Sequence, residues 1–411
     1  MMLLKRVLDS YLSLVLFIAG FTSVVLLPSV SFSVPSYLLI FLFAPLVVYY
    51  SIRSDNFLHK ELIAIAGIFL FINALAQLYV YYSGIQLTPA LRLTDDSDTQ
   101  KVFLRKSLFT QSLYLFAGFL LYLYVKHLGT RRHINVFYVG LRVLVAYGFL
   151  EVILFQFTGT NGDFLSNRQF AHTPGSLFQV MKVGGWITQR LKSLTGEPSM
   201  FAFTIVPFWI LAVGLKRTVD IVLFAIALVL SFSTSAWLGM GLFALAFAAH
   251  EKRIQRYLLW MVPMGALVLV AAYYTSPGFR HFADDTLIHK LTGGNTSGQE
   301  RTLFFKNQLA FWWNEMGWVG KFTGLGFGYV RSTDFFSTLL VNNGIIGMVF
   351  FTWFFFKHSF VRLKGGRDER YYYRTALIAT YLIMMVSVPE FAYLSTWVLL
   401  AYPDAARREG I

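Results

Sequence analysis

The sequence predicts an all-α, polytopic membrane helix bundle of about twelve spans, and three observations carry that prediction. Apolar stretches close to the ~20 residues that a helix needs to cross a bilayer recur along all 411 residues. Hydrophobic residues make up 56% of the chain and charged ones only 14%, with a mean hydropathy of +0.58. One soluble core could not hide so much apolar surface. Lys and Arg also fall in short clusters at alternate ends of the apolar runs, as the positive-inside rule expects.

Lys5 and Arg6 precede a long apolar run, which reads as an uncleaved first helix rather than a cleavable signal peptide. The expected spans are 9–29, 34–52, 62–82, 107–127 and 134–157, then 198–215, 218–232, 235–250 and 254–274, and finally 335–357, 373–388 and 391–403. Residues 218–250 could form one long helix. Lys216–Arg217 and His250–Arg256 would then lie on opposite sides, so two short helices joined at Ser231-Phe-Ser-Thr-Ser235 are expected instead. The same argument splits 373–403 at Pro389-Glu390. Turn backbone at membrane depth needs polar partners, which places both turns against protein or a wet depression.

This threading puts both termini in the cytoplasm and divides the chain into five parts. An N-terminal bundle, 1–157, is followed by an outer loop, 158–197, and by helices over 198–274. A large outer loop, 275–334, precedes the C-terminal helices of 335–411. With 83–106, the outer loops hold 14 of the 35 Lys and Arg residues against 20 on much shorter inner loops. The formal net charge of +14 therefore reports topology and points to membrane lipids, not nucleic acid, as the partner of the basic clusters. The chain has no cysteine, which excludes disulfides and thiol chemistry.

Long loops without regular structure are usually functional, so the chemistry is sought there. Phe305, Leu309, Trp312, Trp313 and Met316 follow helical spacing, which predicts an amphipathic helix in the third loop. Leu291-Thr-Gly-Gly-Asn-Thr-Ser-Gly298 reads as a flexible segment before it. Short helices are expected elsewhere in the outer loops. Arg190 and Lys192 lead into Gly196-Glu197-Pro198-Ser199, where Pro198 starts a helix and Glu197 falls near its N-cap. One reading is a plain helix start with surface cations; the other is an anion site with a carboxylate beside it. Arg301 alone reads as a helix-surface charge. Gly324-Leu-Gly326-Phe-Gly328, ahead of Arg331 and Asp334, could let backbone amides approach a phosphate. It lacks the flanking strand and Lys-Ser/Thr ending of a nucleotide loop. His172, His281 and His289 read as incidental surface. Within the spans, Arg142 and Glu151 are nine residues apart and should not pair, while Glu390 is a candidate cavity residue.

Taken in order, Arg190 before Gly-Glu-Pro-Ser, the Leu-Ser-Phe-Ser-Thr-Ser turn, the Arg301 helix, the Gly-Leu-Gly-Phe-Gly turn and Asn343-Gly-Ile-Ile-Gly347 resemble the O-antigen and exopolysaccharide polymerase (Wzy) family. The related O-antigen ligases share this layout. The resemblance covers about residues 185–350. It implies a glycosyltransferase of C-type architecture in the bacterial inner membrane, with its site facing the periplasm and with no metal or other cofactor. The implied donor is an undecaprenyl diphosphate-linked oligosaccharide, the acceptor a sugar hydroxyl on another lipid-linked repeat unit, and a chain-length regulator a further partner. The ligase alternative differs in its acceptor, a lipid A core; a lipid-linked glycan flippase is the alternative from another class. Arg190 and Arg301 match the arginines thought to hold the diphosphate, with Lys192, Arg331, Gly326 and Gly328 as further substrate-binding candidates. Many relatives carry a histidine where this chain has Ser332-Thr-Asp334. The general base is therefore sought among carboxylates, with Glu197 first and Asp334 second.

Overall fold

The computed structural model describes residues 2–54, 56–95, 101–168, 179–183, 186–251, 267, 270–278, 280, 284, 296–361, 363 and 366–408. The chain is mostly helical, at 74%, and its apolar helices point to a membrane protein. Five helices are long and apolar enough to cross a membrane: α2 (Pro35–Arg53), α3 (Leu58–Ser83), α4 (Lys106–Leu128), α5 (Arg131–Thr158) and the stretch Phe335–Phe360 that contains α11 (Phe335–Phe356). Three shorter apolar helices follow α5 in sequence: α6 (Pro198–Gly214), α7 (Thr218–Leu230) and α8 (Thr234–His250). The remaining helices are α1 (Met2–Ile18), α9 (Thr296–Ala310), α10 (Trp318–Thr323), α12 (Arg367–Val386) and α13 (Leu394–Ala406). Of the span expected over 254–274, residues 267 and 270–274 are described and are helical, and the rest lies outside the described residues.

Helix α6 is apolar on every side and buried along almost all of its length, with α7, α8 and α12 packed around it. A helix without a polar face belongs in a core. α13 packs on α4 and α1 on α5, in both cases across a glycine. A Cβ at Gly118 would meet the Trp397 indole at 2.1 Å, and one at Gly140 would meet the Phe17 carbonyl at 2.1 Å. Small residues of this kind let helices approach closely in a bilayer. α2 and α3 instead expose Leu42, Ile63, Leu70 and Phe71 outward, the composition of a lipid-facing surface.

Two boundaries differ from expectation. The first helix stops at Ile18 instead of reaching residue 29. Residues after it turn back, with the Thr22 and Ser23 amides donating to the Leu194 carbonyl at 2.9 and 3.0 Å. Residues 158–197 hold a small antiparallel hairpin, β1 (Val180–Val183) with β2 (Trp186–Gln189), Val180 opposite Gln189, followed by one short 3-10 turn at Ser193–Thr195. The two expected helix breaks are present: α7 ends at Leu230 and α8 begins at Thr234, and α12 and α13 flank 387–393.

The basic loops share one end of the bundle. Lys126, at the end of α4, donates to both carboxylate oxygens of Glu61 on α3 at 2.7 Å. Arg131 at the start of α5 reaches Glu369 on α12 at 3.1 Å, and His250 at the end of α8 reaches Asp368 at 3.1 Å. Arg142 is bound by Asp220 at 2.6 Å, as is Arg217. Glu151 faces Lys192, so Arg142 and Glu151 do not pair with each other. Residues 83–95, 101–105 and 186–197, the α7–α8 turn, α9–α10 and residues 387–393 gather at the opposite end.

Candidate functional site: arginines around Glu197

The opposite end is built by loops that hydrogen-bond to one another. The amide of Arg331 donates to the Arg92 carbonyl at 3.1 Å, and Leu93 bridges Val330, which ties the first outer loop to the glycine turn. Leu191 donates its amide to the Leu230 carbonyl at 3.0 Å, which seats the end of the second loop on the α7–α8 turn. That turn meets the α12–α13 turn through the hydroxyls of Ser235 and Ser387, 2.8 Å apart. Both helix breaks therefore contribute to one surface and satisfy their polar groups on protein.

Glu197 acts electrostatically on three cations of this surface. It is the N-cap residue of α6, with extended backbone at φ −138°, yet its carboxylate makes no capping bond to the helix amides. Pro198 follows and removes one of those amides. The carboxylate accepts from Ser199 Oγ at 3.2 Å and otherwise acts at a distance on Arg190, Arg301 and Arg331. It makes no ion pair with any of them.

Arg190 is held by its surroundings. Its Nε and Nη2 donate to the carbonyls of Ser231 and Phe232 at 3.2 and 2.9 Å, and Nη1 donates to Gln179. Burial pushes this guanidinium down to about 10; Glu197 opposes the shift and the charge of Arg301 adds to it. Arg301, on the first turns of α9, has no hydrogen bond or ion pair among the described residues. Burial lowers it as well, against the pull of Glu197. The two arginines matched by the resemblance thus share one electrostatic neighbourhood.

Arg331 donates to Glu390, whose side chain is 10% exposed. Burial lowers Arg331, although 47% of its side chain is accessible. Both statements hold for a side chain on the wall of a recess, crowded on several sides but open on one. Arg92 and Arg168 add positive charge to it, and Tyr393 acts the other way. Arg168 also donates to the Thr22 carbonyl at 3.0 Å and lies over the Tyr114 ring. A cavity of about 20 Å³ beneath is lined by Arg331, Glu390, Thr94, Gln111 and Asn343, with room for about one water.

Four other expected site positions have different surroundings. Lys192 is fully buried, with its ammonium 2.5 Å from Asp163 and 3.6 Å from Glu151, so it belongs to the interior and not to the arginine surface. Asp334 caps α11: it accepts from the Ser337 amide at 2.7 Å and from the Ser332 and Ser337 hydroxyls at 2.8 Å. Its oxygens are taken up by the cap. The glycine turn packs instead of cradling an anion. A Cβ at Gly326 would meet Gln77 at 2.5 Å, and one at Gly328 would meet Gln111 at 2.5 Å, at φ +125° and +79°. The Gly326 amide donates to the Asn342 carbonyl and the Phe327 amide to Asn73. Gln77 completes the joint by donating to the Leu325 carbonyl.

The third-loop helix forms over Thr296–Ala310 and continues as a π-turn to Glu315. Phe311 and Met316 are buried, while Phe305, Trp313 and Trp318 are exposed, an apolar outer face suited to a membrane surface. Residues 291–295, His172, His281 and His289 lie outside the described residues, as do 169–178 of the second loop. Among the described residues no group of three His, Asp or Glu side chains is placed to hold a metal. Arg92 and Arg168 went unmarked in the sequence, since nothing local distinguishes either from an ordinary loop cation. Comparison of the chain with family models, curated proteins and solved structures finds no match.

Proposed function

We propose that this chain is a membrane glycosyltransferase that moves a glycan from undecaprenyl diphosphate to a sugar hydroxyl of another lipid-linked repeat unit, that is, a polysaccharide polymerase. The observation that carries the reading is the gathering of Arg190, Arg301 and Arg331 around the uncapped carboxylate of Glu197. Partly buried cations short of counter-ions are costly, and an anionic ligand relieves that cost. Guanidinium groups suit a diphosphate because they bind phosphate oxygens two at a time.

In the proposed reaction the acceptor oxygen attacks C1 of the donor sugar. The C1–O bond to the diphosphate breaks and its electron pair leaves with the phosphate oxygen. Arg301, with its donors free of partners among the described residues, stabilises that developing charge together with the remaining N–H groups of Arg190. Glu197 takes the proton of the attacking hydroxyl. Arg331, paired with Glu390, orients the sugars on the far side. The reaction draws on no metal or other cofactor in this reading. Twelve spans, a C-type architecture, both termini in the cytoplasm, a periplasmic site in the bacterial inner membrane and a chain-length regulator as partner belong to the same proposal. An O-antigen ligase would use the same donor geometry with a lipid A core acceptor.

The experiment is to remove the chain from its host and examine the lipid-linked pool. Accumulated single repeat units support a polymerase. Finished polymer left on lipid transfers the proposal to a ligase, and repeat units trapped on the cytoplasmic leaflet replace it with a flippase. Sidedness is tested separately, because a chain without cysteine accepts a single reporter cysteine cleanly. A cysteine at exposed Asn314 should be labelled from the periplasm, and labelling only from the cytoplasm would overturn the topology.

A further inference from the structure

At the basic end of the bundle lies a cavity of about 280 Å³. Its walls come from the first turns of α1, the last turn of α2, the end of α4 and the start of α5. Lys5, Arg132 and Arg408 face it, against one carboxylate, Asp9. Their status differs. Arg408 is anchored to the carbonyls of Lys126 and His127, and His133 is engaged with Thr130 and the Asp9 carbonyl. Lys5 and Arg132 make no hydrogen bond or ion pair among the described residues, so two cations at the cavity mouth are uncommitted. Ser10, Tyr50 and Asn56 add neutral hydrogen-bonding groups.

The surroundings of the mouth are apolar. Met2, Leu3, Val7 and Leu14 of α1, with Tyr49 and Ile52 of α2, are exposed beside it. A ligand suited to this site carries an anionic head for the cavity and hydrocarbon for the flanking helices. We propose that the cavity binds the phosphate-bearing headgroup of an anionic membrane lipid, held by Lys5, Arg132 and Arg408, with its acyl chains along α1 and α2. The phosphate is the recognised chemistry, and the tails distinguish a lipid from free phosphate. The site stands at the end of the bundle away from Glu197 and does not depend on the activity proposed above.

The test is native mass spectrometry of the full-length protein released from phosphatidylcholine nanodiscs doped with phosphatidylglycerol, with inorganic phosphate as a separate arm. The wild type should retain phosphatidylglycerol over phosphatidylcholine. The double variant Lys5→Gln/Arg132→Gln should bind it about 30-fold more weakly, from two lost basic side chains near the surface. Asp9→Asn should bind it more tightly, a gain that misfolding could not produce. Unchanged retention in the double variant, or displacement of the lipid by millimolar inorganic phosphate, would overturn the proposal.

Discussion

Arg190 donates to the carbonyl oxygens of both Ser231 and Phe232, so the second outer loop is fastened to the α7–α8 turn by the same guanidinium that faces Glu197. Arg190→Ala should therefore lose two things at once, polymer formation and the docking of β2. Lysine is the more telling substitution. The surroundings hold Arg190 at about 10, well below the ordinary guanidinium range. A lysine starts lower, from ~10.4, and the same burial would push it down further. A cation is charged below its pKa, so Arg190→Lys should lose diphosphate affinity as pH rises from 7 to 9 while the wild type holds steady. Parallel pH profiles would show that burial does not act on this site as described.

Arg301 has no side-chain partner to lose among the described residues. Arg301→Ala should leave thermal stability unchanged or slightly raised, since burial of its charge is unfavourable in the free protein. Polymer formation should nevertheless vanish. A variant that unfolds would mean that Arg301 is a structural cation. Conversely, a diphosphate-linked lipid should stabilise the wild type by mass action, with no such shift in Arg301→Ala.

The two carboxylates separate cleanly. Asp334→Ala removes a helix cap and should cost about 1–2 kcal/mol in a melt, with activity per folded molecule retained. Glu197→Gln should leave the melt in place and reduce turnover by ~10²–10⁴-fold while lipid-linked substrate still binds. The opposite pattern would exchange their roles.

Lys192 tests the interior assignment. With Asp163 and Glu151 around it, Lys192→Met leaves two buried carboxylates without their counter-ion. Breaking a buried pair in this way costs about 3–5 kcal/mol, and the variant should fail to accumulate. Normal accumulation with weakened substrate binding would return Lys192 to the site.

The helix breaks were legible because basic residues on both flanks forced the chain to return, and the structure breaks at 231–233 and 387–393 accordingly. Glu390 was legible as a cavity residue from its intramembrane charge. What stayed hidden depended on distant partners. Asp334 looks like a base in sequence and becomes a cap through Ser332 and Ser337. The glycine turn looks like an anion cradle until Gln77 and Gln111 are brought against it from α3 and α4. Arg142 finds Asp220, 78 positions away, and Arg168 reaches its place through Thr22 and Tyr114. The first helix ends early because residues 22–23 bond to Leu194, a contact that no local pattern announces.

The most direct measurement incubates purified protein in nanodiscs with undecaprenyl diphosphate-linked repeat units and follows the lipid-linked products by mass spectrometry. Wild type should give products of two and more repeats with stoichiometric release of undecaprenyl diphosphate. Arg301→Ala should give neither, though folded. Elongation by Arg301→Ala at the wild-type rate, or no elongation by an intact wild type, would contradict an arginine-held diphosphate as the basis of this site.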